Sequence, residues 1–109
     1  MSKRLRQYAP TLGHLAKCGT VSRKRLLKNY LNDKEFLYTI CECCKNILLG
    51  NVPLNSKQKQ LLSKRKKQIR KVANKSSSLK QKKAIIQRGG FLSAILGPLI
   101  GLLGGLFTK

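Results

Sequence analysis

Few residues in this sequence are equipped to move protons or hold a metal. The groups available are His14, the carboxylates Asp33, Glu35 and Glu42, and the thiols Cys18, Cys41, Cys43 and Cys44. General acid–base catalysis needs such groups in positioned pairs. One histidine and three acids offer little to work with, so the chain reads as a non-enzyme with no catalytic residue assigned. The run Cys41-Glu42-Cys43-Cys44 suggests zinc at first sight, because thiolates are strong zinc ligands. On a helix, however, Cys41 and Cys44 share a face with Ile40 and Ile47, while Cys43 turns toward Thr39 and Asn46, so the three sulfurs do not converge. Outside this run only Cys18 or His14 remains to complete a site. The expectation is therefore no metal and no cofactor, with the thiols buried as small hydrophobes and His14 structural or superficial.

The abundant chemistry is cationic. Against three acids stand 24 lysines and arginines, for a net charge of +21, and self-repulsion at that level calls for a polyanionic partner. No acid follows Glu42. From residue 57 to 88 lie Lys57, Lys59, Lys64, Arg65, Lys66, Lys67, Arg70, Lys71, Lys75, Lys80, Lys82, Lys83 and Arg88. A single-sign block of this kind suits a phosphate lattice, since each neutralised phosphate releases condensed counterions. It contains no aromatic to stack on bases and no recognition-helix or zinc-finger spacing. Nucleic acid bound without regard to sequence is the expected partner, the bland alternative being a solvated helix face. The run KRKKQIRK from Lys64 to Lys71 also matches a basic nuclear-import cluster.

Beyond the cations the character inverts. Gly89, Ser93, Gly97, Gly101 and Gly105 recur every fourth residue, which on a helix makes a drifting stripe of small side chains suited to close helix approach. Ser93, Gly97, Gly101 and Gly105 are the expected self-association positions. Phe91, Leu92, Ile95, Leu96, Leu99, Ile100, Leu102, Leu103, Leu106 and Phe107 would face acyl chains. From residue 91 to 107 an ideal helix rises about 1.5 Å per residue and only approaches the roughly 30 Å hydrocarbon core. Pro98 and the glycines further disfavour a continuous span. Inducible insertion into an anionic membrane, drawn by the basic flank, is the favoured reading. A permanent tail anchor and a buried core helix are the competitors.

The elements that must carry these groups follow from periodicity. Leu12, Leu15 and Ala16 begin a short helix, with Pro10 and Gly13 interrupting anything longer. Ser22 is the expected cap of a second helix presenting Leu26, Leu27, Tyr30 and Leu31, and Asn32 with Asp33 restarts the chain. From Glu35 to Leu49 apolar residues fall at helical spacing, with Gly50, Asn51 and Pro53 as the stop. Ser56 then caps a helix to about Asn74 with Leu61, Leu62, Ile69, Val72 and Ala73 as a thin apolar edge, and Ser76, Ser77 and Ser78 form a polar hinge. The fold class is all-α. A bundle of three to four short helices occupies residues 1–54, a basic nucleic-acid-binding helix and flexible linker 55–88, and a hydrophobic helical tail 89–109. Met1 to Arg6 is basic without a following apolar stretch, so no secretory signal is read. The free cysteines suit a reducing, intracellular compartment.

The order of parts, with the run ICECCKNILLGNVPLNSKQKQLLSKRKKQIRK, a lysine-rich stretch and QRGGFLSAILGPLIGLLGG, resembles the small basic protein of Maverick or Polinton-type elements and adintoviruses. That protein is similar in layout to the adenoviral core protein X precursor. The resemblance spans most of the chain from about Leu12, and ICEC, GNVPL and GGFL are its most specific segments. It implies a virion-associated protein that accompanies packaged DNA in the host nucleus beside capsid proteins, and whose hydrophobic part helps breach a membrane. It also implies processing by an adenovirus-type protease: Gln87, Arg88, Gly89 and Gly90 fit its preference, placing a cut between Gly90 and Phe91, and Leu102 to Gly105 fit less well. The alternative for Gly89 and Gly90 is a plain flexible joint. Two other functional classes stay open, a tail-anchored single-pass membrane protein with a basic cytosolic region and a ribosome-like RNA binder.

Overall fold

The computed structural model describes residues 3–88, 91, 92 and 94–98. Among them the chain is all-helical and has no strand. The elements are α1 (Lys3–Lys17), α2 (Thr20–Tyr30), α3 (Lys34–Leu48), α4 (Ser56–Lys64), α5 (Lys66–Ala73) and α6 (Leu79–Gln87), with further helical residues at 91, 92 and 94–98.

The third helix is the axis of the fold. Asp33 caps it, its Oδ1 accepting the backbone N–H groups of Glu35 at 3.0 Å and Phe36 at 3.3 Å, and Glu35 adds negative charge to the positive first turn. At the other end the Gly50 N–H returns to the Ile47 carbonyl at 3.2 Å. Gly50 has φ +77°, a left-handed conformation that glycine adopts without the strain of a Cβ. Between these limits Phe36, Leu37, Thr39, Ile40, Cys41, Cys43, Cys44 and Ile47 are all buried. That is more than one helical face, because α1, α5 and α6 pack around α3. Cys43 and Thr39, expected beside the apolar face, are therefore fully enclosed. The Thr39 hydroxyl meets its own need by donating to the Glu35 carbonyl at 2.7 Å.

Helix α1 differs from expectation in its length. It runs unbroken through Pro10, whose ring lies on the exposed side, while Leu5, Ala9, Leu12 and Leu15 repeat at helical spacing on the buried side. An interior proline costs about 3 kcal/mol. Burial of each large apolar side chain returns about 1.5–3 kcal/mol, so the tertiary face outweighs the local breaker. The second helix begins at Thr20 after an extended Gly19, and Ser22 is an exposed interior residue rather than its cap. Arg23 is directed back to the end of α1, donating from Nε to the Leu15 carbonyl at 2.8 Å and from Nη2 to the Cys18 carbonyl at 3.2 Å. It thus satisfies carbonyls that a helix end leaves open and places a cation at the negative pole of the dipole. Phe36 ties the three helices together, with Tyr8 edge-on at 6.0 Å and Tyr30 stacked at 5.2 Å.

The basic region is not one helix and a flexible linker. Asn55, not Ser56, caps α4, in a reciprocal capping box with Gln58. The helix then breaks at Arg65 (φ −111°, ψ 13°) with no glycine or proline present. Unopposed cations from Lys64 to Lys67 repel one another along a continuous helix, which makes the break cheap. Helix α5 buries Ile69, Val72 and Ala73 and packs against α3, whereas Leu61, expected on the same edge, is half exposed. The serine stretch is an ordered turn in which Asn74 Oδ1 accepts the Ser76 N–H at 2.9 Å. Ser78 then caps α6 in a second capping box, with Gln81.

The start of the hydrophobic tail belongs to the same core. Phe91, Leu92, Ala94, Ile95 and Leu96 are each at most 5 % exposed and join the cluster formed by α1 to α6; Pro98 is buried as well. Leu62, Ile69, Val72, Ile85 and Ile86 of the basic region are buried in that same core. The core thus crosses both expected domain limits, near residues 54 and 88. A radius of gyration of 12.8 Å is about that of one folded domain of this length, roughly 13 Å. Gly89, Gly90, Ser93, Leu99, Ile100, Gly101, Leu102, Leu103, Gly105, Leu106 and Phe107 lie outside the described residues.

Candidate nucleic-acid interface

Charge is sorted by the fold. All three carboxylates sit at the start of α3 or along it, turned to α1. Tyr8 donates to Asp33 Oδ2 at 2.7 Å, and Arg4 pairs with Glu35 at 2.9 Å and reaches Glu42 at 3.9 Å while lying over the Tyr38 ring. The hydrogen bond from Tyr8 holds the Asp33 carboxyl below its ordinary value, helped by the backbone N–H groups it caps. The same bond, with burial, pushes the Tyr8 phenol up to about 12. Glu35 and Glu42 stand seven residues apart, two turns on one helical face. That spacing is the sequence signal for a shared partner such as Arg4.

With the acids engaged at that seam, the cations at the α4–α5 break have no acid beside them. Five of them line one open concavity of about 960 Å³ at the α4–α5 break: Lys64, Arg65, Lys66, Lys67 and Arg70, with Leu61, Ser63 and Gln68 between them. No acid lines it. Arg65 is half-buried and steadied by Gln68 Oε1 at 3.3 Å; the other four are exposed. Lys66 and Lys67 occupy the first turn of α5, which has no side-chain cap. Their charges add to the positive pole of that helix instead of opposing it. The break bends the cationic run around a hollow, where a straight helix would spread it along a ridge.

The remaining cations are distributed differently. Lys57, Lys71 and Lys80 are exposed elsewhere on the basic helices, and Arg88 at the end of α6 is exposed too. Lys59 and Lys66 flank a smaller hollow of about 330 Å³ floored by Ile47, Leu54, Leu62 and Ile69. Lys83 is half-buried and donates to Asn32 Oδ1 at 2.6 Å, a structural tie between α6 and the α2–α3 turn. Lys82 departs most from expectation. Only 5 % exposed, it points inward because Ile85 and Ile86 fix the rotation of α6, and it is unavailable to an outer phosphate lattice. Lys75, exposed in the turn before α6, lines a further cavity with Lys82.

The thiols form no centre. Burial pushes the Cys43 thiol up to about 12 and raises the Cys44 thiol as well, the nearby Lys82 charge alone opposing the latter. A protonated, enclosed thiol is neither nucleophile nor metal ligand. Cys18 is half-buried, its Sγ 3.4 Å from the Leu15 carbonyl. No group of three or more His, Cys, Asp or Glu side chains arranged to hold a metal occurs among the described residues. Among those residues no helix is long and apolar enough to cross a membrane. The four tail residues expected to face lipid that are described, Phe91, Leu92, Ile95 and Leu96, are core residues in this fold, and Gly97 is exposed. Phe91, the residue after the expected cut, is fully buried, so cleavage there would require local opening.

Comparison of the chain with protein-family models, with curated proteins and with solved structures gives no match.

Proposed function

We propose that this protein is a non-enzymatic, virion-associated DNA-binding protein that neutralises double-stranded DNA without reading its sequence. The observation that carries the reading is the acid-free concavity at the α4–α5 break, where five cations face outward while every carboxylate is engaged on the α1 side of the molecule. Groups held in this way suit phosphates, which attract charge without demanding a pattern of base-edge donors and acceptors. The order of parts, a small body followed by basic and hydrophobic segments, supports the virion setting. Engagement of the acids in structural pairs and the raised thiols support a non-enzymatic role.

The test is salt dependence. Retention on duplex DNA should fall steeply with ionic strength and be indifferent to sequence. Changing Lys64, Lys66, Lys67 and Arg70 to Gln should make the log–log salt slope shallower by roughly 3 to 4, at about 0.9 per lost phosphate contact. Changing the other three α2 cations, Lys24, Arg25 and Lys28, to Gln with Arg23 left in place should alter it less for each residue changed. Equal effects from both sets would reject the groove.

We also propose that the C-terminal segment acts on anionic membranes. Support comes from the sequence beyond Pro98, apolar and uncharged until Lys109. Because Phe91 to Leu96 contribute to the core, full engagement of the segment entails releasing them. Full-length protein should therefore leak anionic vesicles faster under mildly destabilising conditions. Leakage that is absent, or unchanged by such conditions, would refute the coupling.

A further inference from the structure

A second cationic feature lies away from the groove. Arg4 of α1, Tyr38, Glu42 and Lys45 of α3, Lys75 of the α5–α6 turn and Lys82 of α6 surround a cavity of about 290 Å³. Four cations thus face a space that holds one carboxylate, and Glu42 is already within 3.9 Å of Arg4. Lys82 is the unusual member. The residue is only 5 % exposed, and its ammonium, within electrostatic reach of the Cys44 thiol, makes no hydrogen bond or ion pair with any described residue. Among the described residues no buried side-chain nitrogen or oxygen is sealed away without a partner, so the Lys82 ammonium opens on the cavity it lines. With its stem enclosed and only its ammonium open to the cavity, Lys82 holds its charge where an anion entering the cavity would meet it. A chain with 24 cations had no need of this one in its interior for solubility.

We propose that this cavity is a binding site for a small phosphate-bearing anion, separate from the DNA-binding groove. The volume admits a ligand of pyrophosphate to mononucleotide size and excludes a duplex. Lys82 supplies a buried donor, the exposed Lys45 and Lys75 supply two more, and Arg4 is oriented by Glu35 and the Tyr38 ring. Since the donors come from α1, α3, α6 and the turn before α6, an anion held there cross-links the elements that enclose the hydrophobic core. Charge-assisted bonds of this kind are among the stronger polar contacts, and a bound anion stabilises the folded state by mass action.

The probe is sodium pyrophosphate, titrated calorimetrically into the full chain at constant ionic strength. The expected result is saturable binding with about one site per chain, retained when Lys66 and Lys67 of the groove are changed to Gln. Lys82→Met should weaken it roughly ten-fold or more, as loss of a charge-assisted bond does. The rim change Lys75→Gln, at an exposed position outside the core, should weaken it without altering the helical circular dichroism, which separates ligand loss from misfolding. Undiminished binding in both variants overturns the proposal. So does removal of the site by the groove changes, or a duplex oligonucleotide that abolishes pyrophosphate uptake in the groove variant, since either makes the cavity part of the DNA surface.

Discussion

The seam between α1 and α3 and the break between α4 and α5 treat charge in opposite ways. At the seam, Tyr8, Arg4 and Tyr38 meet Asp33, Glu35 and Glu42 over a packed aromatic cluster. At the break, five cations surround solvent with nothing to balance them. Folding is served by the first region and opposed by the second, whose mutual repulsion a polyanion would relieve. A protein built in this way keeps its few acids where they organise structure and, on the function proposed above, leaves its outer cations for a polyanion.

The contrast is sharpest for stability. Phe36→Ala removes the fully buried ring that joins α1, α2 and α3 and should cost about 3–5 kcal/mol. Changing Lys66 and Lys67 together to Ala should leave stability within about 0.5 kcal/mol or raise it. Urea unfolding followed by circular dichroism compares the two directly. A groove variant as damaging as Phe36→Ala would show that the break is part of the folding framework and would end the distinction.

A smaller effect tests the seam alone. Asp33 has a lowered folded-state pKa, so the stability it contributes is present above its unfolded value, about 3.9, and is lost as pH falls through the lower folded value. Tyr8 has the opposite sense: its pKa is raised from 10.0 to about 12, so its contribution is full below pH 10 and disappears as pH rises toward 12. Asp33→Ala should cost about 1 kcal/mol at neutral pH through loss of the helix cap and should flatten both limbs of the stability profile. Asp33→Asn should retain much of the cap and lose the acid limb. If the pH profile of Asp33→Ala matches that of the unaltered protein, Asp33 and Tyr8 are not linked in solution.

Much of the architecture is legible in the residues themselves. The apolar spacing from Phe36 to Ile47, the Asp33 start and the Gly50 stop define α3 within a residue or so, and local rules suffice because cap, periodicity and stop agree. The Arg65 break carries no such mark, since neither glycine nor proline announces it and the charges that favour it act through space. Pro10 misleads in the reverse direction, a local breaker overridden by the buried face of α1. The site is legible only in part. The cationic block is plain, but its division into an outer groove, the tie at Lys83 and the buried Lys82 depends on how α5 and α6 are rotated against α3.

The sequence by itself determined the helical class, the single-sign charge after Glu42 and the hydrophobic character of the tail, because these depend on composition and short-range spacing. Only the tertiary structure decided that the tail begins inside the core, that the acids are gathered at one seam and that one of thirteen cations is turned inward. Each of those outcomes depends on which surfaces remain to be covered once α3 is enclosed. Phe91 and Ile95 are buried in a core shared with residues distant in the chain, and no local pattern records such packing.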